Sequence, residues 1–278
     1  GSENMTNGPF FSEHMRGGAR LGHVSLTDGV VALLTDPMLG VHMGVTAENL
    51  AEKYQISRED QDSFAAESHR RAVKAVEEGR FTSQTVPVEI ASRKQTVVID
   101  KDEGPRSDTT LESLARLKPV FKKDGTVTAG NASSLNDAAS VVLVMEKQKA
   151  MDLGLKPVCE IVAQSVAAVD PRFMGIGPVF AVPKALDAAG LKLEDMKVIE
   201  LNEAFAAQSL AVLRELKIDA EKVNTNGGAI ALGRPIGATG AIVFTKACHE
   251  LRESGGGYGL VSLCIGGGQG IATVIKSV

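Results

Sequence analysis

The chain has 278 residues, 44% hydrophobic, with 29 glycines, few aromatics and no tryptophan, enough for two domains or one large one around a core of Ala, Val, Leu and Ile. Its formal charge of −4 argues against nucleic acid as a main partner, because phosphate binding needs a basic surface. Cys159, Cys248 and Cys264 are odd in number and lack CxxC spacing, which speaks against a disulfide scaffold or a tetrahedral metal site and for a reducing compartment.

In chain order, residues 1–35 are rich in Gly and poorly periodic, and read as loop with short helices. TAENLAEKY (46–54) reads as a short capped helix. From Ser57, SREDQDSFAAESHRRAVKAVEEG reads as a long helix, with Ser57 as cap, Asp60 in the third position and Gly79 ending the run. Its polar face, with Arg70, Arg71, Glu77 and Glu78, is expected to be solvated. TVPVEI (85–90) and TVVID (96–100) alternate as strands, and a polar stretch follows to Pro119. After Gly125 a Gly/Ser/Asn loop is expected to feed a small-residue helix and then a buried strand over 141–145. Beyond it come a strand (159–169), a helix (178–190), a strand (197–201), helices over 203–216 and 238–253, and strands over 258–264 and 271–278. Such alternation implies an α/β layered sheet with ligand groups gathered at strand C-termini. No apolar run reaches membrane-spanning length and no signal-peptide pattern opens the chain. A targeting segment would precede Gly1, so the cytoplasm, or an organelle matrix, is the expected location.

Three places carry chemistry. Cys264 ends a predicted strand and is followed by Ile265 and three glycines, so its thiol could face a cavity beside backbone N–H donors; a small buried cysteine is the commoner reading. Asn202 and Glu203 stand at a strand-to-helix junction, where Asn can hold a water or an oxyanion, or simply cap the helix. In GGAIALGRPIGATG a helix start near Ala238 favours an anionic centre, and Arg234 is either a solvated loop charge or a fixed cation. No Gly-Lys-Ser/Thr closes a glycine-rich loop, and GIGPVF at Gly175 lacks the third glycine of a dinucleotide fingerprint.

NEAFAAQ, then NTNGGAIALGRPIGATG, then CIGGGQG is a series that resembles the thiolases. The likeness extends upstream through HMGVTAENLA, ISREDQD, DEGPR, LKPVF, DGTVTAGNASSLND and MGIGPV. It implies the layered αβαβα thiolase fold, mixed sheets flanked by helices with an inserted loop domain. The implied organisation is the end of an N-terminal domain plus a CoA-binding loop domain over 1–124, a return segment over 125–155 and a C-terminal domain over 156–278. It implies an acyltransferase that interconverts two acyl-CoA with 3-ketoacyl-CoA plus CoA, with no cofactor and no metal. Its partners would be acyl-CoA, CoA and a second copy or more in a dimer or tetramer.

The resemblance assigns roles residue by residue. Cys264 matches the cysteine that moves the proton at the α-carbon, Asn202 the water-holding asparagine of one oxyanion hole, and the Gly266 N–H part of another. CoA contacts carry over to Ser133, Ala129, Phe121 and Arg106. His42, Met43, Met174 and Phe205 match the pantetheine and acyl pocket, and Ser113 and Leu34 weaker contacts. Two departures stand out. The family's nucleophilic cysteine matches none of the three present, so the chain is expected to lack the N-terminal domain that bears it and to be unstable alone. The family's catalytic histidine is Arg234 here, which can donate but cannot act as a base, so an impaired enzyme is expected. The rival reading is a non-catalytic CoA-binding or scaffolding subunit; a condensing synthase is disfavoured by the intact CIGGGQG.

Overall fold

The N-terminal part of the chain is built from short pieces tied together by polar side chains of two helices. The computed structural model describes residues 1–13 and 15–278. After β1 (Ser2–Asn4), β2 (Phe10–Phe11) and β3 (Thr27–Asp28) pair antiparallel, and Asp28 caps α1 (Gly29–Leu33). Helix α2 (Met43–Lys53) begins three residues earlier than its periodicity predicts, because His42 Nδ1 accepts from the Gly44 N–H at 3.0 Å and caps it. Helix α3 (Arg58–Glu77) has the predicted capping box of Ser57 with Asp60, and Gly79 follows it at φ 70°. β4 (Val88–Ala91) and β5 (Thr96–Ile99) form a hairpin, and a second capping box, Thr110 with Ser113, starts α4 (Leu111–Ala115).

The expected solvated face of α3 is only partly so. Arg71 is 11% exposed and donates to the Ala220 and Val223 carbonyls. The buried side, Gln61, Asp62, Ala65, Ser68, His69, Ala72 and Ala75, has the i, i+3/i+4 spacing of a core stripe but largely polar members. They serve the loops packed on it.

The expected helix and buried strand over 125–145 do not form. β6 (Asp137–Ala139) pairs antiparallel with β1, and Gly1 and Ser140 exchange backbone bonds beside them. Beyond it the apolar run 141–144, three valines and a leucine, belongs to no helix or strand. No described strand pairs with it, and Val141 and Leu143 are 89% and 80% exposed. A short α5 (Lys147–Asp152) closes this part.

The remainder follows the predicted alternation: β7 (Cys159–Ala168), α6 (Gly177–Ala189), β8 (Met196–Leu201), α7 (Ala206–Leu216), α8 (Ala229–Leu232), α9 (Thr239–Glu253), β9 (Tyr258–Ile265) and β10 (Gln269–Ser277). The sheet runs β7-β10-β9-β8, with antiparallel pairs except for parallel β9-β8. Successive side chains point to opposite faces. Ile199, Leu260 and Val274 enter a core shared with α2, α6 and α7, while Val198, Val261 and Ile275 meet Val243, Ala247 and Leu251 of α9. Both faces of the parallel pair are thereby covered. Across it Lys246 Nζ lies 2.9 Å from Glu200 and 2.7 Å from the Gly227 carbonyl; burial pushes the Glu200 carboxyl up and Lys246 opposes that. Among the described residues no helix is long and apolar enough to cross a membrane.

Candidate active site

Asn202 continues β8 by one residue, its N–H bonded to the Ser262 carbonyl at 3.0 Å. Helix α7 starts only at Ala206, three residues later than expected, with Phe205 still extended. The cause is the TAGNASS loop: Ala132 bridges Phe205, the Ala206 N–H donates to the Asn131 carbonyl, and Ser133 donates through its N–H and its hydroxyl to the Ala204 carbonyl. Asn202 is therefore not a helix cap. It is 1% exposed, both ends of its amide lack a partner among the described residues, and it lines a cavity of about 20 Å³. That is room for one water.

Cys264 is 2% exposed near the end of β9. Burial pushes its thiol up, and the nearby Arg234 guanidinium pulls it back. Arg234 is half-buried, and its Nε is enclosed with no hydrogen-bond partner among the described residues, so the side chain is not freely solvated. Its backbone N–H donates to Asn136 Oδ1 at 3.0 Å. Before it, Gly233 has φ +90°, and a Cβ there would collide with the Asn136 amide, so only glycine fits. The other two cysteines lie elsewhere. Cys159 Sγ is 3.9 Å from the Cys248 carbonyl, in the core on the α9 face, whereas Cys264 belongs to the opposite core.

The candidate pocket residues are brought together by α2. The His42 and Phe121 rings stack at 4.7 Å, and Phe121 meets Phe205 edge-on at 6.1 Å. The Leu34 carbonyl accepts the Met43 N–H at 2.8 Å. The Met43 methyl lies 2.8 Å from where a Cβ on Gly266 would stand, and Met43, Met174 and Phe205 share one core. Ala129 is exposed on the turn before Ser133. Arg106 and Ser113 are exposed, their side chains bonded to Asp108 and Thr110. No hydrogen bond or ring contact links those two to the aromatic stack.

Gly44 faces Phe121 so closely that a Cβ would enter the ring. Gly44→Ala is expected to cost about 1–3 kcal/mol by overpacking, read as a lowered urea midpoint. An unchanged midpoint would show that the ring moves aside freely.

The sequence reading missed the groups that hold these loops. Glu48 accepts from the Thr126 and Val127 N–H groups, and Asp62 accepts from Asn131. Ser68 donates to Glu203 and accepts from the Gly228 N–H, and His69 accepts from the Arg106 N–H. On α3 the signal was there: Asp62, Ser68 and His69 fall on the stripe that helical spacing buries.

Comparison with known proteins agrees with this geometry. The family model for the thiolase N-terminal domain matches residues 1–148, and that for the thiolase C-terminal domain residues 155–277. The first match corrects the expectation that the N-terminal domain is lacking. The β1–β6 pairing fits it, since it joins the two ends of that match. The beta-ketothiolase BktB of Cupriavidus necator is 52% identical over 279 aligned positions, covering 100% of this chain and 71% of that protein. An acetyl-CoA acetyltransferase of Pseudomonas aeruginosa is 53% identical, covering 99% and 70%. Among solved structures, the Bacillus anthracis acetyl-CoA acetyltransferase matches with TM-score 0.97 at 50% identity, over 100% of this chain and 71% of that one. Human mitochondrial 3-ketoacyl-CoA thiolase matches with TM-score 0.94 at 44% identity, over the same shares. The layered α/β architecture is thus the thiolase fold, and the chain belongs to the thiolase family.

Proposed function

We propose that the protein is a thiolase-type acyltransferase, joining two acyl-CoA molecules by Claisen condensation and cleaving 3-ketoacyl-CoA with CoA in reverse. The observation that carries this reading is the pair of buried polar groups at the ends of neighbouring strands, Cys264 near the end of β9 and Asn202 just past β8 with a small cavity beside it. Cys264 moves the α-carbon proton, for which a thiol must be drawn toward the working pH. Asn202, through a water in its small cavity, and the Gly266 N–H stabilise the oxyanions. His42, Met43, Phe121, Met174, Phe205 and Leu34 line the pantetheine and acyl path, with Ser133, Ala129, Arg106 and Ser113 along the CoA.

Cys159 and Cys248 take no part in this assignment, since they belong to the core on the α9 face, opposite that of Cys264. Two or four copies assemble. Arg234 favours a second reading, a CoA-binding subunit without turnover, because it leaves the site without a base.

The test is thiolysis by the whole enzyme of acetoacetyl-CoA with CoA, followed by loss of the enolate absorbance, beside calorimetric CoA binding. Turnover abolished by Cys264→Ala supports the acyltransferase. CoA binding without any turnover hands the protein to the second reading.

A further inference from the structure

Helix α3 carries two neighbouring side chains that reach different loops. Ser68 ties it to Glu203 and to the Gly228 N–H, at the start of the segment that ends in Arg234. His69, only 8% exposed, accepts the Arg106 backbone N–H at Nδ1, 3.1 Å away. The imidazole must then carry its proton on Nε2. The loop it holds is wedged from the other side as well. A Cβ on Gly104 would stand 2.5 Å from the Ala231 carbonyl oxygen, so the DEGPR loop lies against α8, the helix just before Arg234. Among the described residues the other hydrogen bonds of Arg106 are local: its carbonyl accepts from the Thr109 N–H at 3.4 Å, and its side chain, 66% exposed, is bonded to Asp108, two residues on.

We propose that His69 is a positioning residue for the CoA site, holding the Arg106 backbone so that its guanidinium stands where the CoA phosphates arrive. The inference rests on the proposed CoA role of Arg106. A guanidinium binds phosphate through a planar fork whose direction matters. A long side chain on a loose loop must first be ordered, whereas one on a fixed backbone has less freedom to lose. His69 supplies that fixing from the helix that also holds the Arg234 segment, so one rigid element sets the distance between the phosphate end and the reacting end of the bound thioester. Burial, with the Arg106 charge assisting, keeps the His69 pKa low and its ring neutral, and Asp108 opposes this.

The experiment compares whole-enzyme variants for calorimetric binding of CoA and of pantetheine, which lacks the phosphates. His69→Leu removes the acceptor and is expected to weaken CoA about tenfold, the worth of one hydrogen bond, while pantetheine binding stays unchanged. His69→Asn, whose Oδ1 replaces Nδ1 as acceptor, is expected to stay within about twofold of the parent. In thiolysis the KM for CoA rises in His69→Leu and kcat does not fall. Arg106→Ala separates the two ideas. If it leaves CoA binding unchanged, the CoA role of Arg106 is wrong. If it weakens CoA and His69→Leu does not, the positioning role is wrong. Equal weakening of CoA and pantetheine in His69→Leu would show general loosening and also overturn the proposal. Should His69→Leu fail to fold, His69→Ala and His69→Asn decide the matter, since only the asparagine restores CoA binding.

Discussion

Replacing Arg234 with histidine in the whole enzyme is expected to raise the thiolysis rate by about 10²–10⁴-fold, the usual worth of a general base. In a thiolase cycle a thiol must lose its proton before attacking an acyl group, and arginine offers five donors but no acceptor. Imidazole offers both, with an ordinary pKa near the working range. The exchange should leave the scaffold in place. The segment is held through the Arg234 backbone N–H, Gly233 and Ile230, not through the guanidinium. One term runs the other way. The Arg234 charge draws the Cys264 thiol down against its burial, and a neutral imidazole gives that up. The measured gain in kcat is therefore the base's contribution less this loss, and the pH profile of the variant should acquire a limb near the imidazole pKa. A variant that binds CoA as the parent does, yet turns over no faster, would remove the missing base as the cause of any impairment.

The sequence made the C-terminal sheet legible because its apolar strand runs take turns with helical ones along the chain, and in the folded sheet neighbours such as Val198 and Ile199, or Val274 and Ile275, serve opposite cores. It made Cys264, Asn202 and Arg234 legible as candidates because each sits beside a strand end or a glycine turn. Other features depend on contacts far along the chain. The late start of α7 is imposed by Asn131 and Ala132, more than seventy residues upstream. The strand over Asp137–Ala139 exists because β1, at the other end of the N-terminal match, offers it an edge. Local propensity around NASSLNDAAS favours neither outcome strongly, so a distant partner decides. The polar stripe of α3 shows a different limit. Its spacing reveals which residues are buried, but only the folded chain shows that Asp62, Ser68 and His69 each hold a different loop.

The second large effect is expected at Glu203, which is 2% exposed and sits beside Asn202. Its carboxylate accepts from Asn224 Nδ2 at 2.9 Å, from the Ser68 hydroxyl at 2.7 Å and from the Ile230 N–H at 3.2 Å. The three donors come from the turn between α7 and α8, from α3 and from α8, in the segment leading to Arg234. Glu203→Ala leaves the Ser68 hydroxyl and the Ile230 N–H buried without this acceptor, at roughly 1–3 kcal/mol each, and takes one of the two acceptors of Asn224 Nδ2, which keeps the Leu201 carbonyl at 2.7 Å. Partial relaxation and entering water offset some of this, and about 3–5 kcal/mol is the expected loss from urea unfolding. Glu203→Gln keeps one acceptor oxygen but turns an NH₂ toward donors, so it should fall between. Gly228→Ala attacks the same joint from the other side, because its Cβ would enter the Glu203 carboxyl group. Each change lets the Arg234 segment shift relative to Cys264, and a displacement near 1 Å can cost about 10²-fold in rate. Stability and kcat should therefore fall together through this set, most in Glu203→Ala. A Glu203→Ala protein within about 0.5 kcal/mol of the parent would mean that Ser68 and Asn136 hold the segment without it.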